Sequence, residues 1–138
     1  MKNNVLILLS DEHSPLCMGN MKHYICKTPN LDKLAFQGTK FTNAYCTSPI
    51  CVPSRTGIAT GLYTYQNKSW DNAFPYDGKI KSWGHILQNY GHQCVSIGKL
   101  HFKNEKISSG FSEQLQPMHV INGVGDLMGS IRKKPVVR

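Results

Sequence analysis

Asn4-Val5-Leu6-Ile7-Leu8-Leu9-Ser10 is the stretch that decides the fold class. It is continuously apolar and rich in branched side chains, the pattern of a strand covered on both faces in a parallel sheet; a strand with one wet face would alternate. Such a strand delivers Asp11 and Glu12 at its carboxyl end, where ligands sit in open α/β sheets. The run is too short for a secretory apolar core and leads into two acids with no small-residue cleavage site, so it reads as a buried strand of a cytoplasmic chain. It also falls far short of the roughly 20 residues that span a bilayer, so no membrane association is expected.

The elements that follow support an α/β order. Thr28 caps a helix with Pro29 at its first position, Leu31, Leu34 and Ala35 on one face and Gly38 as its stop. Thr39 to Tyr45 alternates around Phe41 and Ala44, predicting a short strand that feeds the loop Cys46 to Ile50. Val52 to Thr60 reads as a second helix, with Pro53 tolerated in its first turn and Gly61 ending it, so that Cys51 lies at a helix N-terminus. Gly61 to Lys81 is an ordered loop rich in Tyr, Asn, Asp and Gly. Ser82 caps a third helix through Tyr90, stopped by Gly91, and Cys94 to Ile97 forms a strand with Gly98 to His101 at its carboxyl end. The alternation of strands and helices indicates α/β. Beyond Phe102 the periodicity weakens, and Gly110, Gly123, Gly125 and Gly129 punctuate a tail, giving one domain with a core at 4–102 and a tail at 103–138.

Composition narrows the function. With 138 residues, 40% of them hydrophobic, the chain supports one core, and only 17% charged residues exclude disorder as its main state. Five cysteines, odd in number and scattered, suit a reducing compartment better than a disulfide framework. The net charge of +8 would attract an anion or nucleic acid, but no basic block precedes Arg132, Lys133 and Lys134. A noncatalytic anion- or nucleic-acid-binding module is the alternative from another class, and it predicts steeply salt-dependent binding; specific nucleic-acid recognition is not expected.

The stretch richest in chemistry is Cys51-Val52-Pro53-Ser54-Arg55, followed by Thr60-Gly61. It closely resembles the signature of the formylglycine-dependent sulfatases, in which this cysteine is oxidised to an aldehyde after translation. Companions occur in the family's order: Asp11 and Glu12 resemble its first metal-binding pair, Lys99 and His101 its G-K-x-H element, and Asn72 a substrate-contacting asparagine of the choline-sulfatase-like branch. Gly110-Phe111 with Glu113 resembles a segment that follows G-K-x-H there. The resemblance implies an alkaline-phosphatase-like three-layer sandwich with a mostly parallel sheet, of which this chain holds the N-terminal part, and hydrolysis of a sulfate monoester. It further implies Cys51, Arg55 and His101 as catalytic residues, Lys99 and Asn72 as substrate-binding residues, and Asp11, Glu12 and Cys51 as metal-binding positions. Glu12 departs from the Asp or Gln common at its place.

Elementary chemistry agrees with those roles. Sulfate ester cleavage needs a nucleophile on sulfur, a cation for the nonbridging oxygens and a proton for the leaving alcohol. A thiolate would remain sulfated, whereas a hydrated aldehyde can attack through one hydroxyl and eject sulfate by collapse through the other. The helix N-terminus beneath position 51 adds positive potential, and Arg55 points to the same end. Carboxylates at Asp11 and Glu12 suit a hard cation, calcium by family likeness, with magnesium or manganese as alternatives. A hard divalent ion wants six or more oxygens, and after His101 the acids are only Glu105, Glu113 and Asp126. Further ligands are therefore expected downstream of this portion of a sulfatase, which is expected to turn over weakly or not at all and to dimerise through uncovered sheet surface. A formylglycine-generating maturation enzyme is an implied partner, beside the small-molecule ester.

Other patterns compete with these. A phosphonate monoester or phosphodiester hydrolase with the same aldehyde would share Cys51, but that branch carries other residue types at Lys99 and His101. His13, Cys17, His23 and Cys26 are of zinc-ligand type, but their irregular spacing reads as loop residues near the mouth of the site. Tyr63, Tyr65, Trp70, Phe74 and Tyr76 read as loop packing, with cation–π binding as the functional option.

Overall fold

In the computed structural model, which describes residues 3–120 and 123, helix boundaries follow the punctuation of the sequence. Helix α1 covers Pro29–Gln37, α2 Cys51–Thr60, α3 Thr64–Asn67 and α4 Trp83–Asn89. Strands β1, Val95–Lys99, and β2, Glu113–Met118, pair in parallel. The chain divides into two compact units, Met1–Ala44 and Tyr45–Arg138. The basic residues Arg132, Lys133 and Lys134, together with Gly125, Asp126 and Gly129, lie outside the described residues.

Within Met1–Ala44 the expected opening strand is absent. Residues 4–10 adopt no regular structure, and Val5, Leu6, Ile7, Leu8 and Leu9 are 57–83% exposed. An apolar run becomes a buried strand only when flanking strands satisfy its backbone groups and layers cover both faces; among the described residues nothing pairs with it. Thr39 to Tyr45 likewise forms no strand, with Phe41 and Tyr45 exposed. Helix α1 forms as its sequence predicts, but Thr28 acts differently: its hydroxyl donates to Asp32 Oδ1 (2.9 Å) and accepts the Gly19 amide (2.9 Å). Asp32 Oδ1 also accepts the Asn20 amide at 2.9 Å, so the start of α1 holds the preceding loop. The carboxylate lies in the first turn of α1, where the helix dipole favours it.

Within Tyr45–Arg138, α2 ends at Gly61, which takes the left-handed conformation (φ 70°) and returns its amide to the Gly57 carbonyl at 2.8 Å. The stretch read as loop between Gly61 and Lys81 contains α3, whose start is tied by the Tyr63 amide donating to Gln66 Oε1 (2.9 Å). At α4, Ser82 is the N-cap, and His85 Nδ1 accepts its backbone amide at 3.0 Å. Ala59, Tyr76 and Phe102 form the buried core, with Ile80, Leu100, Ile107 and Phe111 against it. Tyr76 meets Phe102 edge to face at 4.8 Å, and Trp83 meets Phe111 likewise at 5.6 Å.

Strand β2 is not legible in Glu113-Gln114-Leu115-Gln116-Pro117-Met118, which is mostly polar and contains a proline that cannot donate to a ladder. It forms because β1 supplies a partner, Val95 opposite Glu113 and Ile97 opposite Leu115; the register breaks before Lys99 meets Met118. Gly98 (φ 87°) sits at that break. Gly110 explains a second feature of the tail: it has φ 86° and packs so closely on Gly84 of α4 that a Cβ on Gly84 would lie 2.4 Å from the Gly110 carbonyl oxygen.

His119, just past β2, carries a pH consequence. Burial holds its pKa below the ordinary imidazole value, although Glu105 and a hydrogen bond at Phe102 pull it upward. A depressed histidine means that the unfolded chain takes the proton first, so stability falls as pH drops through the ordinary histidine range toward the lower folded value. His119→Gln is expected to flatten that part of the profile of urea midpoint against pH while leaving the profile above it unchanged. An unaltered acid limb in the variant would remove His119 from the account.

Candidate active site

The second unit assembles four of the expected residues around the start of α2. Cys51 is the first helical residue, half-buried, with Ile50 as N-cap accepting the Ser54 amide at 2.9 Å. Lys99, the last residue of β1, brings its Nζ to 3.8 Å from Cys51 Sγ. Arg55 is 9% exposed and donates from its guanidinium to the Lys99 main-chain carbonyl. The strand end and the helix start are thus joined by a charge-assisted bond one turn below position 51. Asn72 Oδ1 accepts the Val52 amide at 3.0 Å, satisfying a first-turn donor that the apolar N-cap Ile50 cannot serve. That bond uses the oxygen of the carboxamide, so the donor this side chain offers is Nδ2.

His101 lies two residues past β1 with φ 58°. A non-glycine residue in this region costs energy and persists only where its surroundings fix it. Here the Met118 carbonyl accepts both the Leu100 amide (3.2 Å) and the His101 amide (2.8 Å), so β2 holds the turn that carries His101. Asp11 and Glu12 belong to the first unit, exposed in a turn, with Glu12 at φ 54°.

Sequence reasoning missed the supports of this site. Thr56 Oγ1 donates to the Val52 carbonyl (2.9 Å) and lies 3.2 Å from Ser69 Oγ, which donates to the Phe74 carbonyl at 2.7 Å. This relay binds the loop carrying Asn72 to α2. The one advance signal was the hydroxyl of Thr56 on the same face as Val52, which reads as ordinary helix chemistry.

The Sulfatase family matches residues 2–130. The chain belongs to the sulfatase family. It is 32% identical over 102 residues to an N-acetylglucosamine-6-O-sulfatase of Bacteroides thetaiotaomicron, covering 74% of this chain and 18% of that protein. It is 31% identical to human arylsulfatase K (72% and 18%) and 31% identical to the choline-sulfatase of Rhizobium meliloti (83% and 22%). A solved structure, of BT4656 in complex with its substrate D-glucosamine-2-N,6-O-disulfate, superposes with a TM-score of 0.70 at 33% identity, covering 75% of this chain and 21% of the other. The α/β class expected from the sequence is thereby established. This sulfatase-family chain spans about a fifth of the length of the curated relatives it matches.

Proposed function

We propose that the chain carries the nucleophile end of a sulfate monoester hydrolase, with Cys51 converted to formylglycine. The supporting observation is the pairing of position 51, at the head of a ten-residue helix, with the Lys99 ammonium 3.8 Å away. Helix dipole and ammonium converge on one small volume, which suits a tetrahedral anion. Hydrated formylglycine supplies an oxygen nucleophile and the second hydroxyl whose collapse reforms the aldehyde. Lys99 takes sulfate oxygens, Asn72 donates to them through Nδ2, and Arg55 holds the strand that carries Lys99. His101 moves the proton that accompanies collapse.

The donor chemistry of Asp11 and Glu12 fits a hard ion, with calcium first and magnesium or manganese behind it. When bound, such an ion neutralises sulfate oxygens. Two carboxylates are fewer oxygen donors than calcium requires, so a working site would draw on more ligands than these two. The ester itself is a small molecule, the other partner is a formylglycine-generating enzyme, and five unbridged thiols suit the cytoplasm. Self-association through the exposed stretch Val5 to Leu9 belongs to the same reading.

The test is peptide mass spectrometry of the Cys51 segment after coexpression with a formylglycine-generating enzyme, with sedimentation of the same preparation. An aldehyde that reacts with a hydrazide probe, lost in Cys51→Ala, is expected, together with a dimer. An unmodified thiol in a host that converts a control sulfatase would defeat the formylglycine assignment; a monomer would defeat the self-association.

A further inference from the structure

Within Met1–Ala44, the structure brings together three of the four residues of zinc-ligand type, despite their irregular spacing. Cys17, His23 and Cys26 each offer a donor atom, and these atoms all lie within 4.8 Å of one another; His13 is not in the group. We propose that they form a binding site for a thiophilic divalent ion of the zinc class, with a fourth position left to water.

The loop is shaped for this before any ion arrives. Short 3-10 turns at Pro15–Cys17 and Gly19–Met21 are followed by Lys22 in the left-handed conformation (φ 61°), its amide on the Gly19 carbonyl at 2.9 Å. The turn reverses the chain, and the His23 amide reaches the Met18 carbonyl at 3.4 Å, which sets the imidazole beside Cys17. Cys26 is drawn in by its own amide, which donates to His23 Nδ1 at 2.9 Å, with the Ile25 amide on the same nitrogen at 3.2 Å. Thr28 and Asp32 pin this loop to α1 through Gly19 and Asn20, as described above. Tetrahedral zinc, with Zn–S of about 2.3 Å and Zn–N of about 2.0 Å, sets its ligand atoms about 3.5–3.8 Å apart, so a contraction of about 1 Å completes the site. Two sulfurs and an imidazole select a zinc-class ion over calcium or magnesium.

Proton balance follows from the ring. Nδ1 accepts two amides, so the ring proton sits on Nε2 in the ion-free chain. If Nε2 ligates, its proton moves to Nδ1 and the amides let go; if Nδ1 ligates, the amides are displaced directly. Either way the imidazole stays neutral, and the two protons released per ion come from Cys17 and Cys26.

The experiment is a cobalt(II) titration of the full chain carrying Cys46→Ala and Cys51→Ala, which leaves Cys17, Cys26 and the buried Cys94 as its thiols. One equivalent is expected to give a thiolate-to-cobalt charge-transfer band and the intense visible absorption of a four-coordinate ion, with two protons released and full displacement by zinc. Adding Cys26→Ser should weaken binding by at least about 100-fold, the upper end of what loss of a mere supporting group causes at such sites. A weak six-coordinate spectrum would overturn the proposal. So would a band that survives Cys17→Ser with Cys26→Ser, or a Cys17–Cys26 disulfide that persists in reducing buffer with zinc present.

Discussion

Lys99→Ala is expected to weaken binding of inorganic sulfate beside position 51 by about 10- to 150-fold, the 1.5–3 kcal/mol of a hydrogen bond to a charged group. The substitution removes the ammonium 3.8 Å from Cys51 but keeps the Lys99 main-chain carbonyl that Arg55 grips. Affinity should therefore fall while the Arg55 bond to the strand end is kept. Lys99→Arg keeps the charge in a wider, planar head and should recover part of the affinity. Calorimetric titration with sulfate at low ionic strength reads both. Equal affinity in parent and Lys99→Ala would place the anion elsewhere; a collapse of the melting temperature would make Lys99 a structural residue.

Gly110→Ala should lower folding stability by about 3 kcal/mol, combining the roughly 1–2 kcal/mol penalty of a side chain in the left-handed region with the roughly 1–3 kcal/mol of overpacking. A Cβ there would lie 2.3 Å from Ser82 Oγ and 2.5 Å from the His85 amide nitrogen, at the start of α4 where neither group can retreat cheaply. Gly61→Ala is the internal comparison: its φ of 70° is similar, but nothing lies within 4 Å of the added carbon. Only the backbone part, roughly 1–2 kcal/mol, should then remain. Urea unfolding followed by circular dichroism separates the two, and equal midpoints for both variants would show that the α4 contact carries no weight.

Sequence reading succeeded where the signal is local. Pro29, Gly38, Ser82 and Gly61 bound their helices through groups within a turn of themselves, and such punctuation is written in the chain. Cys51 at the head of α2 was legible for the same reason. What failed depends on distant partners. Val5 to Leu9 has the composition of a covered strand, yet a strand is made by its neighbours. Strand β2 is the converse case, polar and proline-bearing but formed because β1 lies alongside. Asn72 supporting α2 from twenty residues away, and the meeting of Cys17, His23 and Cys26, are likewise long-range outcomes.

The packing of α2 also bears on the order of events during synthesis. Val52 and Pro53 are fully enclosed and the Arg55 guanidinium is turned inward, so these residues on the C-terminal side of Cys51 are hidden once the helix has docked. If Cys51 is converted as proposed, an oxidising enzyme that reads the residues after its target would meet them most readily before the helix docks. On that reading ripening and folding would compete, and protein purified as the thiol would be expected to resist later conversion in the test tube.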